Sequence, residues 1–136
     1  MSAVGAEQRI AIRADVDIVT ARQECRRLAS TLGFSSGDLT VIAAAVSEVA
    51  RNILAYAAQG EVDINLIEHN GRRGVIVVAR DGGPGIPDVA LALQDGFSTS
   101  GSLGLGLPGA RRLMDEFEIS SEVGKGTVVT MRKWAR

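Results

Sequence analysis

Glu61-Val62-Asp63-Ile64-Asn65-Leu66-Ile67-Glu68, then Asn70-Gly71, then Gly74-Val75-Ile76-Val77-Val78-Ala79-Arg80, then Asp81-Gly82-Gly83-Pro84-Gly85: this run decides the architecture. In its first part Val62, Ile64 and Leu66 alternate with polar neighbours, the pattern of a half-buried strand. Asn-Gly is the strongest hairpin signal in the chain, because both residues accept the positive φ angles of a tight turn. The returning stretch is apolar on both faces from Val75 to Ala79, which predicts a central strand. The glycine-rich run that follows fits neither helix nor strand.

Working outward toward the N-terminus, the spacing predicts a strand over 8–13 and two helices. The first is capped by Asp15 or Asp17, carries Ile18, Ala21, Cys25, Leu28 and Leu32 at helical intervals, and stops at Gly33. Ser35-Ser36-Gly37-Asp38 starts the second, which runs to about Ala58 with Leu39, Ile42, Val46, Val49, Ile53 and Ala57 on one side and Gly60 as its stop. Toward the C-terminus come a short helix from Pro87 to about Gln94, a Ser/Thr-rich loop from Gly96 to Ser102, and a helix from roughly Leu105 to Glu116. A second hairpin, 118–123 with 127–133, turns at Gly124-Lys125-Gly126. The expected fold is a two-layer α/β sandwich: one mixed, mostly antiparallel sheet with helices on one face, forming a single domain over 1–136.

Composition narrows the chemistry. A chain of 136 residues buries about 68% of its unfolded surface, so an ordinary core needs no staples. Fifteen Lys and Arg against sixteen Asp and Glu give a net charge of −1 and no basic footprint for nucleic acid or membrane. With one cysteine, Cys25, and one histidine, His69, an intramolecular disulfide and a thiolate zinc cluster are excluded, and Ser-His-Asp, Cys-His and multi-His metal chemistry are not expected. No apolar run reaches the roughly 18 residues of a membrane span. The N-terminus lacks a basic start followed by an apolar stretch, so the expected compartment is the cytoplasm.

The candidate chemistry lies on the second helix and in two glycine loops. Glu48 and Asn52 fall about 40° apart around the helix, one turn from each other. Val41, Ala44, Ala45 and Ala55 share their face, while Thr40, Ser47 and Arg51 look solvated. Small neighbours let another molecule approach: a carboxylate there can act as a general base, and an amide oxygen can ligate a hard cation such as Mg²⁺. The same pair also fits an ordinary surface helix.

Asp81, at the end of the central strand, can accept a hydrogen bond from a ligand amine, with Gly83 and Gly85 keeping side chains away from a flat ring. A plain hairpin turn is the other reading. In the second loop Gly104, Gly106 and Gly109 match GxGxxG, but no strand precedes them, so the dinucleotide-binding context is absent. Gly124-Lys125-Gly126-Thr127 lacks the upstream glycine of a Walker A loop. Glycines followed by Pro108 at a helix start still form a natural phosphate cradle.

Four stretches in order, Glu48-Val49-Ala50-Arg51-Asn52, Asp81-Gly82-Gly83-Pro84-Gly85, Gly104-Leu105-Gly106 and Gly126-Thr127, resemble the boxes of the GHKL ATPases. This is the superfamily of gyrase, Hsp90, histidine kinases and MutL. Within it the chain is similar to the serine/threonine kinases of bacterial partner-switching modules. Ala50-Arg51-Asn52-Ile53 and the run from Leu107 to Ile119 resemble the RsbT-type switch kinases most closely. The turn after Asn52 reads Leu54-Ala55-Tyr56-Ala57, without the histidine expected of the related anti-sigma-factor kinases.

The resemblance implies that Glu48 polarises the attacking hydroxyl and that Asn52 holds Mg²⁺. It implies that Asp81 accepts from the adenine amino group with Thr127 nearby through a water, and that Gly83 and Gly85 shape the adenine pocket. Gly104, Leu105 and Gly106 would meet the phosphates of ATP, and residues 88–103 would form a lid. Implied partners are STAS-domain antagonist proteins as substrates and a PP2C-type phosphatase activated on release; a homodimer is compatible with the sequence. Because no Lys or Arg lies between Asp81 and Arg111, charge stabilisation would fall to Mg²⁺, backbone N–H groups and Arg51. Arg51 could equally be solvated or face a partner. The competing expectation is an anti-sigma factor, a nucleotide-gated binding protein that sequesters a sigma subunit.

Overall fold

The computed structural model describes residues 2–3, 7–86 and 106–135. Six strands, β1 (Ser2–Ala3), β2 (Gln8–Ile12), β3 (Gly60–His69), β4 (Arg72–Asp81), β5 (Glu116–Glu122) and β6 (Gly126–Trp134), form one sheet in the order β1-β3-β4-β6-β5. β2 also pairs with β3. It covers the half of the β3 edge from Gly60 to Ile64, while β1 covers Ile67 and Glu68, so the two lie end to end along one edge. Every pairing among the described residues is antiparallel. β4, apolar on both faces, sits between β3 and β6 as its sequence predicts. Asn70 (φ 52°) and Gly71 (φ 78°) make the tight turn between β3 and β4.

Three α-helices, α1 (Asp15–Ala29), α2 (Ser36–Ala57) and α3 (Gly106–Leu113), cover one face of the sheet. α1 continues into a 3₁₀ turn (Ser30–Leu32) and ends at Gly33 with φ 82°. Its N-cap is Ala14. Asp17 supplies the capping acceptor from inside the first turn: its Oδ2 takes the N–H groups of Arg13 (2.8 Å) and Ala14 (3.1 Å). At α2 the Ser35 Oγ accepts from the Asp38 N–H at 3.1 Å.

The core lies between these layers. Ile12, Val62, Ile64, Val75, Val77 and Met131 of the sheet meet Ala21 and Cys25 of α1, Ile42, Val46, Val49 and Ile53 of α2, and Leu107 and Ala110 of α3. Burial pushes the Cys25 thiol up to about 12, so it behaves as a small apolar side chain. By length (22 residues) and a mean hydropathy of 1.3, α2 would suit a membrane span; here it is the central helix of the layer, packed on the sheet and flanked by both other helices. On the sheet's opposite face, buried Asp63 is held by Arg9 (3.1 Å) and by Arg80. Trp134 is a packing residue: buried, its Nε1 donates to Glu116 Oε2 at 2.7 Å, and the Arg72 guanidinium lies 5.2 Å from its ring centroid.

Three local expectations are corrected. Ser47, read as solvated, is buried, because α1 lies along that side of α2; its Oγ turns back to the Ala43 carbonyl at 3.0 Å. α2 is stopped by Ala58 at φ 67°, while Gly60 already belongs to β3. The last helix ends at Leu113. Asp115 then hands the chain to β6 through its N–H to the Arg132 carbonyl (3.0 Å) and its Oδ2 to the Trp134 N–H (2.9 Å), so Phe117 is a strand residue. The helix expected over 87–94, the loop 96–102 and the whole of the lid expected over 88–103 lie outside the described residues.

Candidate functional site

The site begins where β4 ends. Asp81 pairs across the sheet with Gly60 of β3 on one side and Thr127 of β6 on the other, and its side chain faces the helices. A Cβ on Gly60 would lie 2.8 Å from Ile53 Cγ2 and 3.1 Å from Asp81 Cβ. The missing side chain thus lets α2 come down onto the sheet beside Asp81. The loop after Asp81 is tied down at both ends. Gly83 N–H donates to Asp81 Oδ1 at 3.0 Å, and a Cβ on Gly83 would meet Ala57 Cβ at 2.6 Å, so the loop rests on the last turn of α2. At its far side Gly124 N–H donates to the Pro84 carbonyl (2.9 Å) and Ile86 N–H to Ser121 Oγ (2.6 Å). Gly85 (φ 80°) lies under the Glu122 carbonyl, which a Cβ would approach to 2.5 Å.

Only one of the two Asp81 carboxylate oxygens has a partner among the described residues, the Gly83 N–H; Oδ2 is free to accept. Thr127, buried at 4% exposure, stands on the same face of the sheet, and its Oγ1 lies 2.8 Å from Ser121 Oγ. Sequence reasoning passed over Ser121. Its signal is countable: a turn at 123–125 pairs Glu122 with Gly126 and therefore Ser121 with Thr127.

Further along α2, Glu48 is 13% exposed and its carboxylate is shared between two donors. Oε1 takes Arg51 Nη1 at 2.8 Å, and Oε2 takes the backbone N–H of Gly106 at 2.8 Å. Gly106 (φ 63°) opens α3, where unsatisfied N–H groups collect and an anion is favoured. Arg51 is thus paired with Glu48 while its side chain stays 40% exposed. Asn52, one turn on, is half-buried, and its amide makes no hydrogen bond among the described residues. From Glu48 to Ala57, where the Gly83 loop rests, is about 14 Å along the helix, the length scale of an extended nucleoside triphosphate.

The structure thus joins Glu48 to Gly106 at the middle of α2, with Asn52 one turn further on, and brings Asp81, Gly83, Gly85 and Thr127 together at its end. Gly104 and Leu105 lie outside the described residues. A separate cleft of about 400 Å³ opens at the strand ends, lined by residues including Arg13, Gln59, Glu61 and Arg80; it shares Asp81 and Gly60 with the site, but not Glu48, Asn52 or Thr127. Among the described residues no group of three His, Cys, Asp or Glu side chains could hold a metal. One unpartnered amide oxygen beside a carboxylate suits Mg²⁺, which keeps several waters and is otherwise held by substrate phosphates.

The chain and its fold have known relatives. The chain is 48% identical to the serine/threonine-protein kinase RsbT of Bacillus subtilis (strain 168) over 127 residues, 93% of this chain and 96% of that protein. It is 36% identical to the anti-sigma F factor of Geobacillus stearothermophilus, covering 73% of this chain and 71% of the relative. The fold is similar to that of a mycobacterial sensor histidine kinase, MprB, with a TM-score of 0.55 at 19% identity over 96% of this chain and 99% of the other. The model of the histidine kinase-like ATPase domain family matches residues 12–133. With nearly the whole chain matched, with the four glycine and carboxylate stretches in order and with the α/β sandwich that carries them, this protein belongs to the histidine kinase-like ATPase domain family.

Proposed function

We propose that the chain is an ATP- and Mg²⁺-dependent protein serine/threonine kinase acting as one nucleotide-binding domain in a bacterial partner-switching module. The observation that carries this is the hydrogen bond between Glu48 on α2 and the N–H that opens α3. It sets a carboxylate beside the backbone groups best suited to a terminal phosphate. In this reading Asp81 Oδ2 accepts from the exocyclic amine of adenine, Gly83 and Gly85 leave room for the ring, and Thr127 assists. Gly104 and Leu105 offer N–H groups to the phosphates, and Gly106 joins them when its N–H turns from Glu48 to a phosphate oxygen. Asn52 holds Mg²⁺, which neutralises charge on the phosphates.

The substrate Ser or Thr hydroxyl approaches along the small-residue face of α2. Its oxygen forms a bond to the γ-phosphorus as the bond to the β,γ-bridging oxygen breaks, ADP leaves, and the hydroxyl proton passes to Glu48. Arg51, already paired with Glu48, is the side-chain cation nearest to the carboxylate among the described residues. It orients that carboxylate and adds positive charge where the sequence from 82 to 110 supplies none.

The acceptor proteins in this proposal are STAS-domain antagonists in the cytoplasm, and the released kinase binds and activates a PP2C-type phosphatase. The test is to mix purified protein, Mg·ATP labelled at the γ-phosphate and a STAS-domain partner, then map the phosphosite. Transfer is expected with wild type and lost in Glu48→Ala, while Asp81→Asn abolishes nucleotide binding. The anti-sigma relatives support a second reading, a nucleotide-gated protein that sequesters a sigma subunit. Regulation that survives Glu48→Ala, together with a co-purifying sigma subunit, would favour it.

A further inference from the structure

Resting on the kinase reading above, we infer that the Glu48–Gly106 contact is a latch that only a nucleoside triphosphate opens. The chain's own carboxylate holds the place at the head of α3 that the terminal phosphate of ATP takes, so the triphosphate displaces the general base and thereby frees it. The head of α3 already carries an anion. Glu48 Oε2 takes the Gly106 N–H at 2.8 Å, and Gly106 opens the helix at φ 63°, where N–H groups without intrahelical partners gather. A backbone N–H has one proton to give. Seating a carboxylate oxygen and a phosphate oxygen on it together would press two negative charges into contact. At Gly106 the two therefore exclude one another.

The second carboxylate oxygen makes this an exchange. Oε1 is held by Arg51 Nη1 at 2.8 Å, from the same helix and three residues on, so the carboxylate turns about that contact when Oε2 leaves Gly106. The Glu48 side chain is mostly buried, and an acceptor that loses its donor in such a place is unfavourable. The hydroxyl of the acceptor Ser or Thr supplies a new donor, and that contact is the one through which its proton passes to Glu48. Reach decides which nucleotide opens the latch. From Ala57, where the Gly83 loop rests, to Glu48 is about 14 Å along α2, and a diphosphate, one phosphoryl group shorter than ATP, stops before Gly106. ADP thus binds with the latch closed and ATP with it open.

Calorimetry on the full chain with Mg²⁺ compares ADP with the non-hydrolysable β,γ-imido analogue of ATP in wild type, Glu48→Ala and Glu48→Gln. Glu48→Ala has no anion to displace and binds the triphosphate about tenfold more tightly, with ADP affinity unchanged. Glu48→Gln keeps an uncharged acceptor for the Gly106 N–H and stays within about threefold of wild type. A gain in the glutamine variant as large as that in the alanine variant traces the effect to charge repulsion alone and overturns the latch. In isotope-labelled protein the Gly106 amide resonance differs between wild type and Glu48→Ala without nucleotide and with ADP, and nearly coincides once the triphosphate analogue is bound. A difference that persists with the triphosphate overturns the inference. So does an unchanged or lower triphosphate-over-ADP ratio in Glu48→Ala, while phosphoryl transfer by wild type leaves the kinase reading intact. A wild type that binds neither nucleotide overturns both. If Glu48→Ala does not fold, Glu48→Asp is read in its place: its shorter side chain does not reach Gly106, and its triphosphate-over-ADP ratio must rise.

Discussion

The Glu48 carboxylate and the Gly106 N–H, 58 residues apart in sequence, meet at 2.8 Å. α2 and α3 are therefore joined where the proposed phosphate-binding end begins, and the joint is a charged side chain on a helix N-terminus, a favourable pairing.

Glu48→Gln keeps an oxygen for the Gly106 N–H but cannot take up a proton. Phosphoryl transfer is expected to fall about 10²- to 10⁴-fold, with ATP affinity and unfolding temperature close to wild type. Single-turnover transfer assays with calorimetry check this; weakened ATP binding in step with the rate would show that Glu48 binds and does not act on a proton.

Asn52→Ala removes an amide with no hydrogen bond among the described residues. Denaturant unfolding should therefore change by no more than about 0.5 kcal/mol. The Mg²⁺ dependence of ATP binding should shift to much higher metal concentration, read by titrating Mg²⁺ at fixed ATP. A large stability loss with unchanged Mg²⁺ dependence would contradict the assignment.

Two glycines with positive φ should respond differently to alanine. At Gly126 (φ 116°) a Cβ would lie 2.0 Å from the Asp81 carbonyl oxygen, so Gly126→Ala should cost roughly 3 kcal/mol or more and disturb the pocket. At Gly124 (φ 83°) nothing lies within 4 Å, so Gly124→Ala should cost only about 1–2 kcal/mol, with nucleotide affinity unchanged. Urea unfolding and ATP titration of both variants make the comparison.

Cys25 gives a pH dependence whose sign follows from burial. Its folded pKa is raised to about 12 from 9.0, so the neutral thiol contributes stability below pH 9 that is lost as pH rises toward 12. By pH 10 the loss is about 1 kcal/mol. Wild type should therefore lose more stability than Cys25→Ala between pH 8 and pH 10 in paired urea curves. Parallel curves would mean that the thiol is accessible to water.

Much of this was legible in the chain, and the gaps have physical reasons. The β3–β4 hairpin followed from Asn70-Gly71 and from the alternation of Val62, Ile64 and Leu66, because turn chemistry and periodicity are local. The pairing of α2 with its site face was legible from Glu48 and Asn52, since a helix fixes which residues share a side. Ser47 was misread because its burial depends on where α1 lies, which no local pattern states. Phe117 fits a helical spacing as well as a strand, and only the contacts of Asp115 with β6 decide between them. The stop at Ala58 defied the preference of glycine for positive φ; Gly60 was needed two residues later, where Ile53 and Asp81 leave no room for a side chain.

α2 carries Ile42, Val46, Val49 and Ile53 on its inner side and Glu48 and Asn52 on its outer one. Its amides should therefore exchange with solvent as slowly as any in the domain, and the proposed general base rides on the last element to open rather than on a mobile loop. For an engineer this means that substitutions on the inner side of this helix act on fold stability, while the chemistry is reached only from its outer side. Altered turnover is better sought in whatever closes over the ligand than in the beam that carries the carboxylate.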